Sequence, residues 1–333
     1  MIRGGAIGDF ILTLPALKAL RETHPGAHIE ILGYKHIAAL VENRFYAQVV
    51  RSIEYGPLSS FFTKDSELSP DLANYFASFD LIISYLYDPD GIFEKNLHRC
   101  GARKFLNGPA KIDNFEHAAW QLARPIEELG LCVEDFSAKL YPSNEDRHVA
   151  EEFLGNLSRP SPSSPRDESV RLADRTGIVA FHPGSGSEKK NWPLQNWIDL
   201  GNRLLGSRGF RGSIVMVSGE ADEDQIRQLE LICGNARVVF AKNLPLPHLA
   251  AVLEHAIFIG HDSGISHLAA AAGANCILLF GPSDPAIWAP LNENVRVLRG
   301  AEENVDNIDI GDVERSLAAL LLEQRKRFPT RSS

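Results

Sequence analysis

The sequence predicts an α/β protein with two parallel, doubly wound sheets. Short apolar runs alternate with longer segments of helical periodicity along the whole chain, and this alternation favours strand–helix–strand units. It is interrupted at SRPSPSSP (158–165), a proline- and serine-rich stretch without apolar periodicity that is typical of a linker. The length of 333 residues also favours two domains.

The linker divides the chain into an N-terminal domain (1–157), the linker itself (158–176), a C-terminal domain (177–310) and a final helix (311–327). In the first domain we expect strands at 28–33, 49–55, 81–85 and 104–106, and helices after Gly8 and at 38–42, 114–129 and 145–157. In the second we expect strands at 177–182, 213–218, 238–240, 258–260, 276–280 and 295–298, and helices at 193–205, 222–233, 246–255 and 265–272. The apolar repeat of each helix marks the side that faces a sheet.

Two features of the first domain give specific expectations. Only three residues precede the glycine turn that begins at Gly4, whereas a strand usually has about five or six residues. We therefore expect the first strand to be missing or clipped, as a late-called start or a truncation would make it. In the helix at 114–129, the apolar spacing predicts that Phe115 faces the core.

Composition excludes several classes of protein. The net charge of −9 argues against a nucleic-acid partner. The four cysteines are scattered without a CxxC pair, which argues against a disulfide framework or a metal site and favours a reducing cytosol. No apolar run reaches the roughly 18–20 residues of a membrane span, and no signal peptide opens the chain. We expect a cytoplasmic protein.

A glycine turn followed by Asp9 opens the first helix. The carboxylate of Asp9 is either a helix cap, which accepts hydrogen bonds from free N–H groups, or a general base for a hydroxyl. The spacing of Gly4, Gly5 and Gly8 is not GxGxxG, and the strand that ends at Gly33 lacks the acidic residue that binds ribose in nicotinamide enzymes. A dinucleotide site is therefore disfavoured.

The segment HPGSGS (182–187) lies between a predicted strand and a predicted helix. Its small residues allow the backbone to approach phosphate oxygens, and Lys190 would supply a counter-charge. The alternative is that Lys189 and Lys190 form a solvated basic pair. The Walker A spacing is absent, which argues against an ATPase. We expect Trp192 and Trp197 to belong to the core.

Polar residues follow two further strands of the second half. Glu220 comes after the strand at 213–218 and either caps a helix or binds ribose hydroxyls. Asp262 and Ser263, which precede Gly264 and a helix, either cap that helix or contact a sugar or phosphate. His267 fits a buried structural histidine. No cluster has metal-ligand spacing, so no metal or other cofactor is expected.

Three motifs together resemble those of glycosyltransferase family 9, the heptosyltransferases of lipopolysaccharide core assembly. They are GGAIGD (4–9) with TLPAL (13–17), HPGSG (182–186) with KNWP (190–193), and GHDSG (260–264) with HLAA (267–270), LFGPSDP (279–285) and Trp288. They occur in the family's order and span nearly the whole chain. No motif in the segment 55–103 points to a particular acceptor.

The resemblance implies a GT-B architecture, in which two Rossmann-like domains with parallel sheets face each other across a cleft and the final helix crosses back to the first domain. It also implies inverting, metal-independent transfer of a sugar from a nucleotide-sugar, typically ADP-heptose, bound by the C-terminal domain. Carried over position by position, the family's site residues are Asp9 as base, Ser185, Gly186 and Lys190 on the diphosphate, Glu220 on the ribose, and Asp262, Ser263, Gly264 and His267 around the donor.

We therefore expect a glycosyltransferase that moves a heptose or related sugar from an ADP-linked donor to a lipopolysaccharide-core or similar glycan acceptor. The acceptor is expected to be lipid-linked, and a peripheral contact with the inner face of the cytoplasmic membrane stays open. Two alternatives also stay open, namely a GT-B nucleotide-sugar epimerase or hydrolase and a non-catalytic nucleotide-sugar-binding protein.

Overall fold

The computed structural model describes residues 1–155, 177–219, 229 and 237–327. The chain divides into two compact units, Met1–Tyr141 and Pro142–Ser333. Each unit is an α/β layer structure with one parallel sheet, as the alternation of strands and helices predicts. No helix in the described part of the chain is long and apolar enough to cross a membrane.

The sheet of the first unit has five parallel strands in the order β3-β2-β1-β4-β5. The strands are β1 (Ile2–Arg3), β2 (Glu30–Gly33), β3 (Val49–Ser52), β4 (Ile82–Ser84) and β5 (Phe105–Asn107). The first strand, expected to be missing or clipped, is present as two residues and occupies the centre of the sheet. Ile2 pairs with Leu32 of β2 on one side and with Ser84 of β4 on the other.

Five helices surround this sheet. They are α1 (Ile7–Thr23), α2 (Lys35–Ala38), α3 (Pro70–Ala77), α4 (Ile92–Arg99) and α5 (Ala118–Glu127). Helices α3 and α4 are not predicted by the sequence, because each is only about two turns long and repeats too few apolar residues to show a period. The prediction for Phe115 is wrong: α5 begins three residues later, and Phe115 lies in the preceding loop with 93% of its surface exposed.

The second unit contains a six-stranded parallel sheet in the order β11-β10-β9-β6-β7-β8. Its strands are β6 (Ile178–His182), β7 (Ser213–Ser218), β8 (Val238–Lys242), β9 (Ile257–His261), β10 (Asn275–Phe280) and β11 (Val295–Arg299). Its helices are α6 (Asn144–Gly155), α7 (Leu194–Gly206), α8 (Leu246–Leu253), α9 (Gly264–Ala272), α10 (Pro285–Trp288) and α11 (Ile310–Arg327). The predicted linker at 158–176 and the predicted helix at 222–233 lie outside the described residues, apart from Leu229.

The strand order of both sheets reverses direction at one point, which is where ligands bind in open α/β sheets. In the first unit this point lies between β1 and β4, and in the second it lies between β6 and β9. The core of the second unit fixes the strands around it. Every residue of β9 is buried, and α9 packs its alanines closely against the sheet because small side chains allow a short helix–sheet distance.

Helix α6 belongs to the second unit, although the sequence assigns it to the first domain. Ala150 and Leu154 are buried, and α6 packs against α8. Asp146 is buried at the start of α6, where it accepts a hydrogen bond from the backbone N–H of Ser143 at 2.7 Å. Arg147 forms a two-bond pair with Glu254 at 2.8 and 2.9 Å. The linker composition predicts a division at 158–176, whereas the two compact units divide at Tyr141–Pro142, which places α6 in the second.

This division can be tested with two fragments, 142–333 and 158–333. The free energy of unfolding of the longer fragment should exceed that of the shorter one by at least about 2 kcal/mol. The reason is that only the longer fragment contains Leu154 and the other α6 side chains that are buried against α8. Urea unfolding followed by circular dichroism measures the difference. Equal stability of the two fragments would show that α6 contributes nothing to the second unit.

Candidate functional site

The site of the second unit is built on two loops that leave neighbouring strands. β6 ends at His182 and β9 ends at His261, and the two strands pair in parallel with His182 opposite Gly260. The loops that follow therefore start side by side, although nearly eighty residues separate them in sequence. This pairing brings together Ser185, Gly186 and Lys190 from the first loop and Asp262, Ser263 and Gly264 from the second.

The loop after β6 is an open turn held by its own side chains. The hydroxyl of Ser185 lies 2.6 Å from Oδ1 of Asn191 and 2.9 Å from the carbonyl oxygen of Ser187. Gly186 adopts φ = +69°, a conformation that side chains disfavour, and an added Cβ would meet no atom within 4 Å. Gly186 is thus required by the backbone turn, while the space above it is free for a ligand to approach.

Lys190 and Asp262 form a direct ion pair between the two loops. The Nζ atom of Lys190 lies 2.6 Å from Oδ2 of Asp262, and the side chains are 31% and 11% exposed. The pair is therefore at the surface of the unit but partly shielded from water. Lys190 is not a solvated lysine on a free loop, whereas its neighbour Lys189 is exposed.

A histidine–backbone contact fixes the position of the Lys190 loop. The backbone N–H of Trp192 donates to Nε2 of His261 at 2.8 Å, so His261, at the end of β9, holds the segment that follows Lys190. The indole N–H of Trp192 donates to the carbonyl oxygen of Ile308 at 3.0 Å, and its ring packs edge-on against Trp197. Both tryptophans are core residues, as expected. The sequence predicts no role for His261, and its only signal there is its position between a strand end and Asp262.

Ser263 caps helix α9, as one of its two interpretations predicts. Its hydroxyl accepts from the N–H of Ser266 at 3.3 Å and lies 3.5 Å from Nδ1 of His182. Gly264 is the first residue of α9, so the free N–H groups of the helix begin at this loop. His267 lies within α9 and is only 4% exposed, as expected for a buried histidine. Glu220 lies outside the described residues.

In the first unit, Asp9 lies in the first turn of α1, after the loop that follows β1. Its Oδ2 accepts from the backbone N–H of Ala6 at 3.3 Å, so the cap role is confirmed. Gly5 has φ = +103°, and a Cβ added there would come within 3.1 Å of Oδ2 of Asp9. The glycine turn is thus shaped around the carboxylate, which is one-third exposed.

Arg3, at the end of β1, faces the same carboxylate. One guanidinium nitrogen, Nη2, lies 3.9 Å from Oδ1 of Asp9, and the guanidinium lies 5.4 Å from the centre of the Tyr85 ring. Burial lowers the pKa of Arg3, and the negative charge of Asp9 opposes this shift. Burial also raises the pKa of Tyr85. The sequence predicts no role for Arg3, although a charged residue directly before a glycine turn is a signal for one.

The two sites offer different chemistry. The second unit presents an ammonium, a helix N-terminus and a carboxylate at one strand edge, a set suited to a phosphorylated ligand with hydroxyl groups. The first unit presents a carboxylate with one oxygen held by the backbone, a set suited to proton transfer. Within residues 1–155, 177–219 and 237–327, no group of three or more His, Cys, Asp or Glu side chains is placed to hold a metal ion.

The match to a known family is direct: glycosyltransferase family 9 (heptosyltransferase) matches residues 121–318, more than half of the chain. The chain belongs to this family and is a glycosyltransferase. Its family membership favours the transferase interpretation over an epimerase and over a non-catalytic binding protein.

Relatives and solved structures agree with this assignment. Lipopolysaccharide heptosyltransferase 3 of Escherichia coli is 27% identical over 305 residues, which cover 86% of this chain and 84% of the relative. A family 9 glycosyl transferase from Veillonella parvula DSM 2008 superposes with a TM-score of 0.76 at 21% identity, covering 97% of this chain and 96% of that one. The E. coli ADP-heptose lipopolysaccharide heptosyltransferase II has a TM-score of 0.74 at 15% identity, covering 97% and 98%. These likenesses support the GT-B fold.

Proposed function

We propose that this glycosyltransferase transfers a heptose, with inversion and without a metal ion, from an ADP-linked donor to a lipopolysaccharide-core or similar glycan acceptor. The observation that carries the proposal is the Lys190–Asp262 pair, which lies beside the start of α9 at the switch point of the second sheet. The names of the similar proteins support the donor and acceptor, since they describe heptosyltransferases of lipopolysaccharide and one specifies ADP-heptose.

The second unit holds the donor in this proposal. Lys190 binds the diphosphate as a point charge, and the free N–H groups at the start of α9 add a partial positive charge. The turn at Ser185 and Gly186 approaches the phosphate oxygens closely because it carries no bulky side chain there. Asp262 passes from its pair with Lys190 to hydrogen bonds with the sugar and, together with Ser263 and Gly264, lines the donor.

Two further residues belong to the donor site in this proposal. Glu220 binds the ribose hydroxyls, as a carboxylate after a strand end of such a sheet does. His267 is buried within α9, so its contribution is to pack beneath the first turn of that helix and stabilise it.

The transfer is a single displacement with Asp9 as the catalytic base. The acceptor oxygen forms a bond to the anomeric carbon while the bond from that carbon to the diphosphate oxygen breaks, which inverts the configuration. Asp9 takes the proton of the acceptor hydroxyl, and the electron pair of the broken bond leaves on the diphosphate. Lys190 and the helix N-terminus stabilise the developing negative charge, a task for which other transferases use a metal ion.

The donor and the metal-independence are tested together. A thermal-shift panel with ADP, UDP and GDP sugars should show stabilisation by ADP-heptose alone, and heptose transfer to a heptose-free lipopolysaccharide core should proceed equally with and without EDTA. Proton NMR of the product should show an inverted anomeric centre. Stabilisation by a UDP or GDP sugar without any response to ADP-heptose would refute the donor, and loss of transfer in EDTA would refute the metal-independent mechanism.

Replacing Asp9 with Asn should lower kcat by about 100-fold or more, because the amide takes up no proton from the acceptor hydroxyl. Donor affinity measured by calorimetry should stay close to that of the native protein, since Asp9 lies in the other unit from the donor residues. Near-normal turnover in this variant would remove Asp9 from the role of base.

Replacing Lys190 with Ala should weaken binding of ADP-heptose by about 10- to 100-fold, the loss expected for a charge-assisted hydrogen bond. Lys189→Ala is the matched control, because Lys189 adjoins the same turn but is exposed. Calorimetry at low and high salt measures the affinity of each variant for ADP-heptose, and only the Lys190 variant should bind more weakly. Equal affinities of the two variants would show that Lys190 does not contact the diphosphate.

A further inference from the structure

Arg3 carries a positive charge into the buried part of the first unit. Arg3 is only 5% exposed, and its Nε atom is fully enclosed. Among the residues that the structure describes, none accepts a hydrogen bond from this guanidinium, and the single carboxylate within 4 Å is that of Asp9. A buried cation normally has hydrogen-bonded partners that compensate its desolvation, so the position of Arg3 calls for a functional explanation.

Arg21 shows how the same unit buries an arginine for structural purposes. Its side chain is 6% exposed, nearly the same as that of Arg3. It donates to the carbonyl oxygens of Pro25, Ala27 and Tyr46 and to the side chain of Gln48, at 2.6 to 3.2 Å. Arg21 thus ties the end of α1 to the neighbouring chain segments. Nε is without a partner in both arginines, but the other two guanidinium nitrogens of Arg3 donate no hydrogen bond to any described residue. The guanidinium of Arg3 faces the carboxylate of Asp9 at 3.9 Å and the ring of Tyr85 at 5.4 Å.

The contacts of Asp9 complete the arrangement. Oδ2 is held by the N–H of Ala6 at 3.3 Å, and the absence of a side chain at Gly5 leaves room for it. Oδ1 points towards Arg3 at 3.9 Å, a separation that attracts the carboxylate but is too long for a hydrogen bond. Oδ1 therefore keeps its lone pairs available for an incoming hydroxyl.

We propose that Arg3 is a positioning residue for the catalytic base, an inference that rests on the proposed role of Asp9. The guanidinium attracts Oδ1 of Asp9 towards the end of β1 without forming a hydrogen bond to it. The backbone N–H of Ala6 holds the other oxygen, Oδ2.

The test measures kcat and KM in full-length Arg3→Gln, Arg3→Lys and Arg21→Gln proteins and in each Arg3 variant combined with Asp9→Asn. Arg3→Gln should lower kcat by about 10- to 100-fold with donor KM within about threefold of the native value, the pattern of a group that acts in the transition state. Arg3→Lys should recover most of this loss because it retains the charge. Arg21→Gln should lower the melting temperature but leave kcat per folded protein unchanged.

The combined variants give the decisive result. When Asp9 is already Asn, replacing Arg3 should change kcat by less than about twofold, because groups that act as a unit are not additive. An equal loss in both backgrounds, or a phenotype like that of Arg21→Gln, would overturn the proposal. If Arg3→Gln does not fold, Arg3→Lys decides on its own: a kcat close to the native value supports the proposal, and a loss of about tenfold or more despite the retained charge overturns it. Near-normal turnover of Asp9→Asn alone would instead refute the base itself.

Discussion

The parallel pairing of β6 with β9 is the interaction on which the proposed donor site depends. β7 and β8 lie between these strands in sequence but outside them in the sheet, so the chain returns to the centre before it adds β9. That return places His182 opposite Gly260. The loops that carry Lys190 and Asp262 then begin at adjacent strand ends, where helix N-termini and open backbone turns also converge.

Strand pairing fixes where the loop after β6 begins, and a contact with His261 fixes the segment that follows Lys190. Its imidazole accepts the N–H of Trp192, so the last residue of β9 holds the segment next to Lys190. Trp192 is anchored in turn to Ile308 and Trp197 in the core. The backbone next to Lys190 is thus held by buried contacts, and the ammonium itself is held by Asp262. A charge held in place before the ligand arrives suits electrostatic stabilisation.

Apart from β1, the sequence predicts the strands of the two sheets and the loops that carry the site, because most strands are apolar runs and each of these loops follows a strand end. It does not predict which strands are neighbours, so the ion pair between Lys190 and Asp262 and the contact of His261 appear only in the fold. The sequence does not predict α3 and α4 for a different reason, namely that they have too few turns to show a period. The prediction for Phe115 is wrong because this apolar residue continues the pattern of α5 beyond the start of that helix.

The two switch points carry ion pairs whose separations fit different tasks. Lys190 and Asp262 are 2.6 Å apart, a direct contact that holds both groups in place and that a ligand with its own charge and hydroxyls can replace on each side. Arg3 and Asp9 are 3.9 Å apart, so attraction persists while the carboxylate oxygen stays open. In a binding site, the two charged side chains can exchange their mutual contact for contacts with the ligand. A catalytic base instead needs a neighbour that orients its carboxylate and leaves the oxygen lone pairs free to accept a proton.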